Sequence, residues 1–168
     1  MNRLPAVALA LFALPAAPAL AQQSSERPPP AVELIGGYAG FVDDATIDHG
    51  VIGGSLRVYL SPRISVGPEI VYMRGPADDR DLFFTGNLTF DVLSPGPDRR
   101  VVPFLVAGGG FFRGSYSIGP QPFSYVEGAF TAGGGIRAPI NDRWHALGEY
   151  RIGWELHQRV TGGVGVTW

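Results

Sequence analysis

The chain has 168 residues, of which 24 are Gly, 15 are Pro and none is Cys, and 17% of its residues are charged. The lack of Cys excludes a disulfide framework and a thiolate metal site, and the formal net charge of −2 gives no electrostatic basis for binding nucleic acid. Long segments of alternating apolar residues exclude a disordered chain, because they contain enough apolar surface to bury.

The N-terminal residues 1–21 have the pattern of a secretory signal peptide. Arg3 supplies the positive charge, an apolar stretch follows, and Ala19-Leu20-Ala21 matches a signal-peptidase cleavage site. An uncleaved helical anchor is the alternative, but Pro5 and Pro15 disfavour it because proline interrupts the helical hydrogen bonds. Residues 22–30 are polar and then proline-rich, which predicts an extended lead-in rather than part of a fold.

Residues 31–168 form one domain that divides into segments in which apolar and polar residues alternate. A period of two predicts β-strands, because successive side chains of a strand point to opposite faces. Eight strands are predicted, at 31–42, 50–60, 64–74, 81–93, 101–112, 124–138, 144–154 and 159–168. The longer loops are expected at 43–49, 75–80, 113–123 and 155–158. Pro68 lies inside the third strand and predicts a bulge there. The fifth strand is apolar on both faces, so periodicity leaves open which of its faces points into the barrel.

The seventh predicted strand, from Trp144 to Trp154, carries a tryptophan at each end of its apolar face. Ten residues in a strand tilted about 40–45° advance about 25 Å, which is the height of the apolar band of an outer-membrane barrel. Short connections between neighbouring strands predict a meander of hairpins, and closing the meander removes its two bare edges. The predicted fold is therefore an all-β, eight-stranded antiparallel up-and-down transmembrane β-barrel.

The two faces of the predicted strands differ in composition. The outer face carries aromatic residues that we expect at the membrane interfaces, namely Tyr72, Phe84, Phe90, Trp144, Trp154 and Trp168. The other face carries charges of both signs that we expect to fill the lumen as a structural polar network: Arg57, Glu69, Asp91, Glu127, Arg137, Glu149 and Arg151. An eight-stranded barrel is just wide enough to be filled by side chains, and buried charges must be paired. A lumen that conducts protons or ions, and a soluble lipocalin-like barrel with its apolar face inward, are the alternatives.

Several segments resemble the small OmpA-type outer-membrane β-barrels, including the OmpX-like and OmpW-like groups. They are Leu60–Glu69, Val102–Gly110, Gly133–Arg137, Glu149–Arg151 and Val164–Trp168. The resemblance extends over residues 31–168 and implies periplasmic termini, longer loops outside the cell and residence in the outer membrane of a Gram-negative cell. It also implies insertion by the barrel-assembly machinery, which recognises a final strand ending in an aromatic residue, a position that Trp168 occupies.

The resemblance favours a monomeric, non-enzymatic barrel with a structural or surface-interaction role through its extracellular loops. A narrow channel or carrier for small solutes is the main alternative within the same fold. An outer-membrane hydrolase that modifies lipid A is a further one.

Little in the sequence indicates catalysis or a cofactor. The three His residues include no His-x-Ser pair, and no nucleophile is placed beside a base. Asp43, Asp44, Asp48 and His49 could bind a cation, but they are interpreted as a solvated acidic loop because their spacing fits no calcium-binding loop. No catalytic, cofactor-binding or metal-binding residue is predicted, and the partners expected are the outer-membrane bilayer and the assembly machinery.

Overall fold

The computed structural model describes residues 27–42, 46–95, 100–118, 120–153 and 157–168. The predicted signal peptide at 1–21 and residues 22–26 of the predicted lead-in lie outside the described residues, while residues 27–30 precede the first strand without regular structure. Trp154 and the predicted loop residues Asp43 and Asp44 also lie outside them.

The described residues form eight strands. They are β1 (Ala31–Val42), β2 (Thr46–Tyr59), β3 (Ile64–Arg74), β4 (Arg80–Asp91), β5 (Val102–Ile118), β6 (Gln121–Pro139), β7 (Trp144–Gly153) and β8 (Gln158–Thr167). Each strand pairs antiparallel with the next, and β8 pairs with β1, which closes the barrel. The predicted eight-stranded antiparallel meander is confirmed. No helix among the described residues is long and apolar enough to cross a bilayer.

Two of the predicted loops, 43–49 and 113–123, are wrong in part, because most of their described residues belong to strands. Residues 46–49 pair with 39–42 and begin β2, so His49 lies in a strand. Residues 113–118 and 121–123 continue the β5–β6 hairpin, in which Tyr116 stacks on Phe123 with the ring centroids 5.8 Å apart. Cross-strand aromatic pairs stabilise a sheet, and this one extends the hairpin through a segment whose Gly, Ser and Pro content indicates a loop.

The predicted bulge at Pro68 is also absent. Ser55 pairs with Glu69 and Val58 pairs with Val66, so the offset between β2 and β3 is the same on both sides of Pro68. On its other side, Pro68 pairs in register with Gly86 of β4. The orientation of β5, which periodicity leaves open, is settled by burial: Val102, Phe104 and Phe112 point into the lumen, and Leu105 points outward.

The barrel has its charged residues inside and its apolar residues outside. Every strand has a large aliphatic side chain exposed on the outer face: Leu34, Ile52, Ile70, Leu88, Leu105, Ile136, Ile152 and Val164. Most of the buried side chains on β4, β7 and β8 are polar or charged, whereas an apolar cluster fills the lumen toward one end. We call the end with the tight turns at 60–63 and 140–143 the short-turn end, and the opposite end the open end.

Candidate functional sites in the lumen and at the open end

The lumen nearest the short-turn end holds a buried cluster that we call the Glu33 cluster. Its members are Glu33, Arg57, Asp91, Arg137 and His145, all less than a tenth exposed. Glu33 is ion-paired with Arg57 and lies 2.9 Å from His145 Nε2, and Arg137 is ion-paired with Asp91. The guanidinium of Arg137 also lies 4.0 Å from the centre of the Phe104 ring, a cation–π contact. Five of the eight strands therefore meet in this cluster.

A second cluster, the Glu69 cluster, lies further along the lumen and contains Glu69, Glu149, Arg151 and Arg159. Arg151 donates hydrogen bonds to Glu69 at 2.8 Å and to Glu149 at 2.6 Å. Arg159 donates to the same two carboxylates at 2.8 and 3.3 Å. Each carboxylate is therefore shared between two guanidinium groups, and the cluster carries no net formal charge. Balanced pairing of this kind is what makes buried charge tolerable.

The predicted network differs from the observed clusters in its membership. Glu127 is exposed rather than buried, because the β5–β6 hairpin carries it beyond the ring of strands, opposite Phe112. Glu33, His145 and Arg159 belong to the clusters but are missing from the prediction. Their alternation with apolar neighbours is the signal that identifies them, since each lies on the polar face of its own strand.

Little open space remains between the charged side chains. The cavity that both clusters line has a volume of about 20 Å³, which is room for about one water molecule. Toward the open end, the lumen is filled by Phe41, Phe83 and Phe112 together with His157, whose ring centre lies 4.9 Å from that of Phe83. This aromatic layer separates the Glu69 cluster from the open end.

The aromatic residues predicted at the membrane interfaces point outward where the structure describes them. Phe90, Trp144 and Trp168 lie near the short-turn end, and Tyr72 and Phe84 lie toward the open end. Two further exposed tyrosines at the open end are missing from the prediction. Tyr38 donates a hydrogen bond to Asp48, and Tyr150 donates one to Gln158 at 3.0 Å.

The β5–β6 hairpin extends past the other described strands at the open end. Pairing of β4 with β5 stops at Ser115, and pairing of β6 with β7 stops at Thr131. Among the described residues, the stretch 121–130 therefore has no strand on the β7 side. Aromatic contacts support this extension, with Tyr125 packed edge-on against Phe112 at 5.6 Å.

A third polar group lies at the open end, where β2 meets the turn between β3 and β4. His49 is only 2% exposed, so its interpretation as part of a solvated loop is wrong. Its Nε2 lies 3.0 Å from an oxygen of Asp79 and 3.2 Å from one of Asp81. Asp48, predicted beside it, points outward to Tyr38 instead.

Comparison with known proteins identifies the fold. No family model matches the sequence, and no curated protein matches it. Among solved structures, Neisserial surface protein A is 12% identical, with a TM-score of 0.71 over 83% of this chain and 97% of that protein. The N-terminal β-barrel domain of OprF from Pseudomonas aeruginosa is 12% identical, with a TM-score of 0.69 over 84% and 98%. Ail, the attachment invasion locus protein of Yersinia pestis, is 12% identical, with a TM-score of 0.57 over 84% and 98%. These likenesses confirm the resemblance to small outer-membrane barrels at the level of the fold.

Proposed function

We propose that this chain, folded like the small outer-membrane barrels, is itself exported and spans the outer membrane, and that it acts non-enzymatically through its surface at the open end. The distribution of residues supports the membrane location, because an outer face with a large exposed aliphatic residue on every strand suits hydrocarbon, not water. The proposal includes insertion by the barrel-assembly machinery and a monomeric state.

The observation that carries the surface role is the extension of β6 past its last described pairing with β7. Residues 121–130 continue β6 for about 30 Å, at roughly 3.3 Å per residue, past the last described pairing of β6 with β7, which is Thr131 with Gly153. No described strand covers the β7 side of this stretch, and open strand edges are not tolerated in hydrocarbon, so a position in water outside the bilayer suits it. A free strand edge is a template for an extended segment of another protein.

The side chains beside this edge suit binding as well. Phe123, Val126 and Phe130 are all exposed, and exposed aromatic and aliphatic groups are typical of protein-binding surfaces. The contact of Tyr125 with Phe112 fixes the hairpin to the aromatic layer of the lumen. A rigid edge loses less conformational entropy on binding than a mobile loop does. The attachment role named for Ail agrees with a function of this kind.

The two alternative functions, a solute channel and a lipid-modifying enzyme, are less well supported than the surface role. A cavity of about 20 Å³ closed by paired charges leaves no room for a solute between the two clusters. All three His residues are less than a tenth exposed, so none is available as a general base for a substrate at the outer surface. His49 and His145 contact carboxylates, and His157 packs against Phe41 and Phe83.

The membrane location is tested by fractionating expressing cells. We expect the protein in the outer membrane, with an electrophoretic mobility that changes on boiling, as for a barrel that resists detergent until heated. Recovery from the soluble periplasm, or unchanged mobility, would refute the membrane barrel.

The surface role is tested by measuring adhesion of expressing cells to a panel of immobilised host-matrix and serum proteins. We expect a gain in adhesion over cells with empty vector, and loss of that gain in a Phe123→Lys/Val126→Lys variant, because lysine at a strand edge opposes strand addition. Ile140→Lys is the control, since Ile140 is as exposed as Val126 but lies in a turn at the short-turn end. No gain over empty vector would contradict the proposal.

Two measurements address the alternatives. Solute-selective flux through vesicles containing the pure protein would favour a channel. A difference in lipid A mass spectra with and without expression would favour a hydrolase.

A further inference from the structure

Three donor groups of the kinds that bind metal ions converge at the open end, on residues distant from both lumen clusters. His49 belongs to β2, Asp79 closes the turn before β4, and Asp81 is the second residue of β4. Their donor atoms, the Nε2 of the imidazole and one oxygen of each carboxylate, all lie within 4.8 Å of one another. His49 and Asp81 are 2% and 5% exposed, whereas the side chain of Asp79 is 26% exposed and leaves a path from solvent.

The strand register explains why these residues meet. Gly50 pairs with Arg74, and Arg74 pairs with Arg80. One position further toward the open end, His49, Gly75 and Asp79 therefore lie side by side, where β2, the end of β3 and the start of β4 adjoin. The hydrogen bond from Gly75 N to Asp79 O, at 3.0 Å, holds these residues together at the turn. Residue 75 lies between the two donors, and a Cβ there would lie 2.6 Å from His49 Nε2 and 2.8 Å from Asp79 Oδ2. Glycine at this position therefore makes the space in which the donors approach each other.

The two ring nitrogens of His49 are placed as those of a metal-binding histidine are, with one toward a backbone oxygen and the other toward the carboxylates. Nδ1 lies 3.2 Å from the backbone oxygen of Ile47, so it can donate its hydrogen there, the usual support of a metal-binding histidine. In the neutral ring, Nε2 then has no hydrogen and presents a lone pair toward the two carboxylates. A cation placed between the three atoms would satisfy all of them.

We infer that His49, Asp79 and Asp81 bind a divalent transition-metal ion, with zinc as the best match. Imidazole nitrogen with carboxylate oxygen is a common donor set for zinc, and bonds of roughly 2.0–2.1 Å in a tetrahedron place donors about 3.3 Å apart. The separations of 3.0 and 3.2 Å from Nε2 to the two aspartates approach that spacing. Three protein ligands leave a fourth position open to water or to a group from a partner. The ion would tie β2 to the β3–β4 turn.

The test is calorimetric titration of zinc chloride into the full chain, folded in detergent micelles and freed of metal with a chelator. We expect one zinc ion per chain, and affinity lowered more than about tenfold in His49→Gln and Asp79→Asn, since even residues that only support a ligand contribute that much. Asp79→Asn is the decisive variant, because Asp79 is the most exposed of the three and its loss does not disturb the lumen.

Two further variants separate the site from a general effect of negative charge. Gly75→Ala keeps all three donors but fills the space between two of them, so it should weaken zinc binding as well. Asp78→Asn removes an exposed carboxylate from the same turn and should leave binding unchanged. Each variant is first checked for heat-modifiable mobility. No saturable binding of zinc, or equal affinity in wild type and Asp79→Asn, would overturn the inference. The first result would assign the contacts of His49 with the two aspartates to hydrogen bonding alone.

Discussion

Replacing Arg151 by Met tests whether charge balance in the Glu69 cluster holds the barrel together. An arginine side chain has five N–H donors. Those of Arg151 are all used, in two hydrogen bonds to Glu149 and one each to Glu69, Asn87 and Thr131. Its removal leaves two buried carboxylates facing one guanidinium group, that of Arg159. Loss of one partner from a buried charge network costs about 3–5 kcal/mol, and we expect that loss in the free energy of unfolding.

A second variant distinguishes charge imbalance from lost packing. Glu149→Gln/Arg151→Met removes one charge of each sign and leaves the pair between Glu69 and Arg159. Because the remaining charges balance, we expect this double variant to be more stable than Arg151→Met alone by at least about 1 kcal/mol, a typical coupling between contacting groups. Arg100→Met is the control, since Arg100 is exposed, and it should change stability by less than about 0.5 kcal/mol.

The assay is reversible urea unfolding of protein refolded into phospholipid vesicles, followed by tryptophan fluorescence and by mobility of the unboiled protein in gels. A loss below about 1 kcal/mol in Arg151→Met would show that the cluster is solvated, because only exposed pairs contribute so little. A double variant no more stable than the single one would refute the reasoning from charge balance.

The remaining predictions use the same assay. Ile70→Arg, on the outer face at the middle of β3, should cost about 2–4 kcal/mol if that face lies in hydrocarbon, whereas Leu60→Arg at the short-turn end should cost only about 0–1 kcal/mol. Equal costs at the two positions would contradict a bilayer around the barrel. Gly67→Ala should lower stability by at least about 2 kcal/mol, because its Cβ would overlap the backbone oxygen of Leu56. Gly148→Ala, with no atom within 4 Å of the added Cβ, should change it by less than about 0.5 kcal/mol, and a similar loss in both would refute the steric argument.

Alternation alone predicts the barrel because hydrocarbon and a polar lumen impose opposite compositions on the two faces of each strand. That constraint ends where the bilayer ends. In the proposed membrane location, the segment from Gly114 to Ser117 lies beyond the bilayer, and it has no apolar face that distinguishes it from a loop. The prediction therefore placed the strands correctly but missed the extension of the β5–β6 hairpin, which is the part that carries the proposed surface role.

The contacts within the lumen depend on strand register, which periodicity does not give. Glu69 and Arg159 are 90 positions apart in the chain, and only the closed barrel brings them together. The meeting of His49 with Asp79 depends on register as well, because it places both beside Gly75. The composition of the strands indicates that polar side chains fill the lumen. Which of these side chains pair depends on the tilt of the strands and the stagger between them.

Both lumen clusters also constrain how the barrel can form, because their ion pairs join strands that are distant in sequence. Glu33 on the first strand pairs with Arg57 on the second and with His145 on the seventh, which is 112 positions away. A partly assembled sheet that lacks β7 and β8 would leave Glu69 without both of its arginine partners. In the proposed membrane location, intermediates that expose such charges to lipid are strongly disfavoured, and we expect the strands to insert and close as one cooperative unit.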